Sequence, residues 1–146
     1  AKEMFDACMS HFTISDIVVA AAAVSDYSPA SIHSDKLKKT EGLPHLELQQ
    51  TKDILAHMGT IKKHQFLVGF ALETTNEVEN ARSKLKRKNL DLIVLNSLND
   101  KGAGFEFDTN KITLITKGNK MLSFELKSKQ EVAEDIVNTI LSEIDA

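Results

Sequence analysis

Tryptophan is absent from this 146-residue chain, tyrosine occurs once (Tyr27), cysteine once (Cys8), and there are two prolines and six glycines. No aromatic platform is left for stacking single-stranded nucleic acid. A single cysteine cannot close an internal disulfide, so a reducing cytoplasm is the expected compartment. So little Gly and Pro excludes collagen-like and low-complexity chains, and a hydrophobic fraction of 42% excludes disorder. The longest apolar run, Ile17 to Val24, is eight residues. A membrane helix needs ~20, and no basic-then-apolar leader opens the chain. Neither a membrane nor a nucleic acid is an expected partner: 18 basic and 21 acidic residues leave a net charge of -3, which works against binding a long polyanion.

What is present fits one domain, 1–146, long enough to bury a real core without staples. Met4, Ala7, Cys8 and Phe12 lie at helical spacing and predict a helix over 1–12. It opens without an initiator Met or a capping residue, so the expectation is a domain that has lost something upstream. Ile17–Val24 reads as a strand buried on both faces, the kind parallel sheets use. The polar stretch 25–50, with Pro29, Gly42 and Pro44, predicts a long excursion in which Leu46-Glu47-Leu48 alternates like a short strand.

Further on, Asp53–Lys63 reads as a helix with Thr51 as its cap, and Gln65–Ala71 as the next strand. Thr74 and Glu77 have capping-box spacing at the head of a helix running to Lys88, with Val78, Ala81 and Leu85 inward. Leu90–Leu95 is a third apolar strand; Lys111–Thr116 and Met121–Leu126 form a hairpin across Lys117-Gly118-Asn119-Lys120. Ser128 and Glu131 repeat the capping box before a final helix in which Val132, Ile136, Ile140 and Ile144 recur every four residues. The alternation defines the α/β class: a Rossmann-like layered domain, its sheet mainly parallel, with an antiparallel hairpin extension. Ligands in such sheets sit beyond the carboxyl ends of the strands, which directs attention to Ser25-Asp26-Tyr27, Glu73-Thr74-Thr75 and Asn96-Ser97.

Common signatures are missing. No GxGxxG follows a strand, there is no Walker A loop, and Gly102-Ala103-Gly104 is too short. The histidines (His11, His33, His45, His57, His64) never pair at i, i+4 beside a carboxylate, which disfavours a zinc site. Cys8 falls on the apolar stripe of its helix and reads as a packed thiol.

Three features carry chemistry. Asp26 leaves an all-apolar strand, where a carboxylate can bind a cation or a ligand hydroxyl or merely cap a turn. Lys36, Lys38 and Lys39 stand on a loop that could close over phosphates, or are ordinary solvated charge. Lys84 and Lys88 belong to a run of five basic residues between Arg82 and Lys88. Four apart, they share a helix face and repel unless an anion intervenes; a solvated helix surface is the alternative.

Taken together, AAAVSDY (21–27), KLKK (36–39), KDIL (52–55), FLVGFALET (66–74), ARSKLKRKNLDLIVLNSL (81–98) and GAGFEFDTNKITLI (102–115) resemble the phosphopantothenate–cysteine ligase family, the second half of the bifunctional coenzyme A biosynthesis flavoprotein of bacteria. The stretches occur in family order along nearly the whole chain. The resemblance implies that a carboxylate of 4′-phosphopantothenate attacks the α-phosphate of CTP and expels pyrophosphate. The amine of L-cysteine then displaces CMP from the acyl cytidylate. It further implies Mg²⁺ as cofactor, with FMN confined to an upstream decarboxylase domain.

Residue by residue, the resemblance puts the backbone of Ala20, Ala21 and Ala22 and the side chain of Asp26 against nucleotide, Asp26 also reaching the metal. Lys36 becomes the catalytic lysine of a flap over about 28–50, a flap that crosses to a second subunit and so implies a homodimer. Lys52, Asp53, Ile54 and Leu55 line the nucleotide, although the family has Pro in place of Lys52. Phe70 packs on the cytosine or ribose, and Lys84 and Lys88 grip the triphosphate. Family members also carry a preceding half-unit with a Gly-rich loop and a substrate-binding Asn, absent from these residues. The expectation is a fragment that folds but turns over poorly. A non-catalytic nucleotide-binding or dimerisation module is the competing reading, and an NAD-dependent enzyme is disfavoured by the missing phosphate fingerprint.

Overall fold

A computed structural model describes residues 1–31, 45–97 and 107–145. Its element order is α1 (Lys2–Phe12), β1 (Ile17–Ala20), β2 (Tyr27–Pro29), β3 (Leu48–Gln50), α2 (Ile54–Ile61), β4 (Phe66–Glu73), α3 (Glu77–Arg87), β5 (Leu92–Ser97), β6 (Thr109–Asn110), β7 (Ile112–Thr116), β8 (Met121–Ser123), β9 (Lys127–Ser128) and α4 (Lys129–Ile144). The main sheet has the order β1-β4-β5-β7-β8. Its first three strands run parallel and the β7–β8 hairpin continues it antiparallel. This is the layered α/β architecture that the alternating pattern predicts.

The pleat of β4 sorts the core into two layers. Leu67 and Ala71 face one side, where Phe12 of α1, Met58 of α2 and Ala81 and Leu85 of α3 pack with Ile93, Leu95 and Ile115. Val68 faces the other side with Leu92, Val94, Ile112 and Leu114, beneath Val132, Ile136 and Ile140 of α4. Ile144, the last of that four-residue repeat, is 48% exposed. The Ser128–Glu131 capping box is formed in full, as read from the spacing.

Several elements differ from the reading of the sequence. The first apolar run is a strand only as far as Ala20, and it is not buried on both faces: Ile17 and Val19 are 41% and 46% exposed. The reason lies in the sheet order. β1 is its outermost strand, and Val19, level with Val68, shares the α4 face at a point the helix does not cover. The helix after β4 is headed by Asn76 in the left-handed region (φ 46°), not by Thr74. Glu77 accepts a hydrogen bond from the Ser97 hydroxyl at 2.6 Å.

α2 is capped by Asp53, whose carboxylate accepts from the Ala56 N–H, rather than by Thr51. Two small ladders were not legible. β2 pairs antiparallel with β3, closing the base of the 28–50 excursion, and β6 pairs with β9. The lysines of the KLKK stretch, and Gly102-Ala103-Gly104, lie outside the described residues.

Close approach of backbones sets the α2–α3 corner. A Cβ on Gly59 would stand 1.9 Å from the Lys88 carbonyl oxygen, and one on Gly69 would meet Leu90 and Leu55 within 3 Å. Asn89, itself left-handed (φ 51°), donates from its amide to the Gly59 carbonyl at 2.9 Å. The helix carrying Asp53 is thereby pressed against the helix end carrying Lys88. Beside this corner, Asp91 accepts from the Leu67 N–H at 2.8 Å and from the Lys62 ammonium, clamping β4 to the start of β5.

Candidate functional site

β1 and β4 are parallel neighbours, so Ala20 and Phe70 approach the same edge of the sheet. Beyond β1 the chain is stitched to the entrance of α2. The Thr51 N–H donates to the Asp26 carbonyl at 2.9 Å, the Thr51 hydroxyl to the Ser25 carbonyl at 2.5 Å, and the Ser25 hydroxyl to the Tyr27 carbonyl at 2.6 Å. Between these fastened segments lies a cavity of about 270 Å³. Ala20, Ala21, Ala22, Asp26, Lys52, Asp53, Ile54, Leu55, Phe70 and Lys88 all line it.

The structure thus brings to one concavity every expected site residue except two. Lys36 lies outside the described residues. Lys84 is described but does not line the cavity; it pairs with Glu73, Nζ to Oε1 2.5 Å, at the end of β4. The anions that the shared face of Lys84 and Lys88 calls for are both supplied by the protein, since Lys88 Nζ sits 2.8 Å from Asp53 Oδ2. Burial pushes the Asp53 carboxyl up, but hydrogen bonds from Lys88 and the Ala56 N–H, with the charges of Lys88 and Arg87, outweigh it and hold the group below its ordinary value.

Two cations, Lys52 and Lys88, and two carboxylates, Asp26 and Asp53, line the cavity. The first turn of α2 opens onto it, and a helix N-terminus carries partial positive charge. Lys88 adds a cation already paired with Asp53. Lys52 is turned aside, its ammonium 4.6 Å from the centroid of the Phe5 ring. Asp26 is exposed, and no hydrogen bond or ion pair holds its carboxylate among the described residues. No three His, Cys, Asp or Glu side chains converge into a preformed metal site among the described residues. Mg²⁺ commonly takes only one or two carboxylates and arrives with substrate phosphates, a pattern that Asp26 alone can serve.

Some lining residues were not among the expected site residues, although the sequence reading points to Asn96. Cys8 packs against the core as expected, but it also lines the cavity with Met58. A second cavity, of about 430 Å³, opens on the α4 face. It is lined by Asn96, Asn110, Lys129, Val132 and Ile136, and shares Ala20, Ala21, Ala22 and Phe70 with the first. The Asn96 Oδ1 is buried there without a hydrogen-bond partner. Its position just after the third apolar run is the signal that marks it.

Fold and site together define a layered α/β domain with a cleft, lined by both signs of charge, at the carboxyl ends of its parallel strands. The chain belongs to the family described as the DNA/pantothenate metabolism flavoprotein C-terminal domain, whose model matches residues 1–144. It is 52% identical over 143 residues to a cysteine/cysteine sulfinic acid decarboxylase of an unknown prokaryotic organism, covering 97% of this chain and 40% of that protein. It is 44% identical over 140 residues to the coenzyme A biosynthesis bifunctional protein CoaBC of Bacillus subtilis (strain 168), covering 96% of this chain and 34% of that protein. The chain therefore spans little more than a third of the curated relatives it matches.

Among solved structures, the C-terminal domain of a coenzyme A biosynthesis bifunctional protein CoaBC superposes with a TM-score of 0.80 at 34% identity, covering 99% of this chain and 63% of that one. No helix among the described residues is long and apolar enough to cross a membrane.

Proposed function

We propose that this chain is part of a phosphopantothenate–cysteine ligase, which joins 4′-phosphopantothenate to L-cysteine through an acyl cytidylate at the expense of CTP. The observation that carries this reading is the gathering of the family-like residues around one cleft, in a chain matched by the family model over residues 1–144. The chemistry packs a triphosphate and a substrate phosphate near an anionic nucleophile, so its main demand is preorganised positive charge.

On this reading Lys88 and the α2 entrance, Lys52 to Leu55, receive the nucleotide phosphates. The backbone of Ala20, Ala21 and Ala22 supports the nucleotide, and Phe70 packs on its base or ribose. Lys84 serves the triphosphate by exchanging Glu73 for phosphate. The adjoining cavity has room for the second substrate, so that two occupants meet across the alanines. Asp26 is the residue we assign to Mg²⁺, which supplies neutralisation of phosphate charge when bound. Lys36, on a flap over about 28–50 that crosses to a second subunit of a homodimer, stabilises charge as the carboxylate is activated. We assign FMN to the decarboxylase part of bifunctional relatives and not to these residues.

Lys36→Gln separates this reading from a non-catalytic nucleotide-binding or dimerisation module. In a bifunctional protein carrying this domain, pyrophosphate release from CTP should be lost while CTP affinity measured by calorimetry with Mg²⁺ is largely kept, because the contact strengthens in the transition state. A plain binding module would instead lose roughly 1.5–3 kcal/mol of affinity, the strength of one charged hydrogen bond. Equal titrations with ATP test the preference for CTP. The chain alone should bind nucleotide and turn over slowly; normal rates from it would contradict that part of the proposal.

A further inference from the structure

The basic run Arg82–Lys88 divides by helical pitch. Lys84 and Lys88 turn toward Glu73 and Asp53, whereas Arg82 and Lys86, with Asn89 a turn further on, face away from them. These three line a separate cavity of about 460 Å³ between α3 and the β7–β8 turn, closed on the turn side by Lys117. It lies where β5 begins and β7 ends, the opposite end of the sheet from the cleft.

Among the described residues, no carboxylate lines this cavity. Arg82 and Lys86, four apart on one helix, repel each other, and neither has a carboxylate partner among the described residues. Among the described residues, Arg82 finds the Met121 sulfur alone, at 3.7 Å. Lys117 stands 4.0 Å from Asp91, whose carboxylate is already engaged by Lys62 and the Leu67 N–H. The negative end of α3 accounts for cations on its own last turn. It does not account for a third cation brought from a different element, nor for the lack of any acid.

We propose that this groove is an anion site, independent of the function proposed above, that takes a small phosphate-bearing anion of two or more negative charges. Arg82 is suited to grip it bidentately, with Lys86 and Lys117 as point charges around it.

The test is an amide NMR titration of the chain with inorganic pyrophosphate, against sodium chloride at matched ionic strength. Saturable shifts are expected at Lys86, Asn89 and the Lys117–Lys120 turn. Binding read there should weaken about tenfold or more in Arg82→Ala/Lys86→Ala and persist in Lys88→Ala. Lys117→Ala, on the exposed turn, gives a second reading in the same direction should the double variant not fold. Absence of saturation, identical shifts with chloride, or binding unchanged in these variants overturns the proposal. A parallel titration with a nucleoside diphosphate supports it either way: tighter binding assigns the site to a nucleotide, equal binding to the free anion.

Discussion

Lys88 holds Asp53 at 2.8 Å across the corner between α3 and α2, and the same carboxylate caps α2 through the Ala56 N–H. One side chain thus fixes a helix start and restrains a cation at the mouth of the cleft. Because the folded Asp53 carboxyl titrates below its ordinary value, its contribution is complete above pH ~3.9 and disappears as pH falls through the folded value. Asp53→Asn keeps a capping oxygen and should flatten that acid-side loss. Asp53→Ala should cost about 1 kcal/mol at neutral pH. Urea unfolding of both variants across pH 2–7 checks this.

Gly59→Ala should destabilise the chain by about 1–3 kcal/mol, since the new methyl meets backbone rather than a flexible side chain. Thermal unfolding reads the loss. If the variant folds, the amide signals of Lys88 and Asn89 should move most.

Glu73 is nearly enclosed, with 12% of its side chain exposed, and depends on Lys84. Lys84→Met should cost about 1–2 kcal/mol, a figure reduced for the partial exposure of the lysine. Adding Glu73→Gln should recover most of it. A double-mutant cycle by chemical denaturation measures the coupling.

Ser128→Ala removes the hydroxyl that accepts from the Glu131 N–H and donates to its carboxylate, leaving the backbone half of the α4 capping box, and should cost about 1 kcal/mol, seen as a lower denaturation midpoint with an unchanged slope.

Much of this architecture was legible because the three parallel strands and the long helix write their burial directly into apolar runs and a four-residue repeat. The exceptions are physical. β2, β6 and β9 are two or three residues long, too short to show a period, whereas the strand read at Leu46-Glu47-Leu48 is found two residues on, as β3. Asn76 begins α3 by adopting a left-handed backbone that asparagine tolerates, which places the helix start two residues after Thr74. The exposure of β1 depends on its place at the edge of the sheet, which no local pattern encodes. Most cleft residues could be named from resemblance. The engagement of Lys84 by Glu73 could not, because it joins a strand end to a helix face eleven positions away.

The alanines after β1 have a geometric consequence. Because Ala20, Ala21 and Ala22 line both cavities with minimal side chains, a bulkier residue at any of them would take room from the two cavities at once.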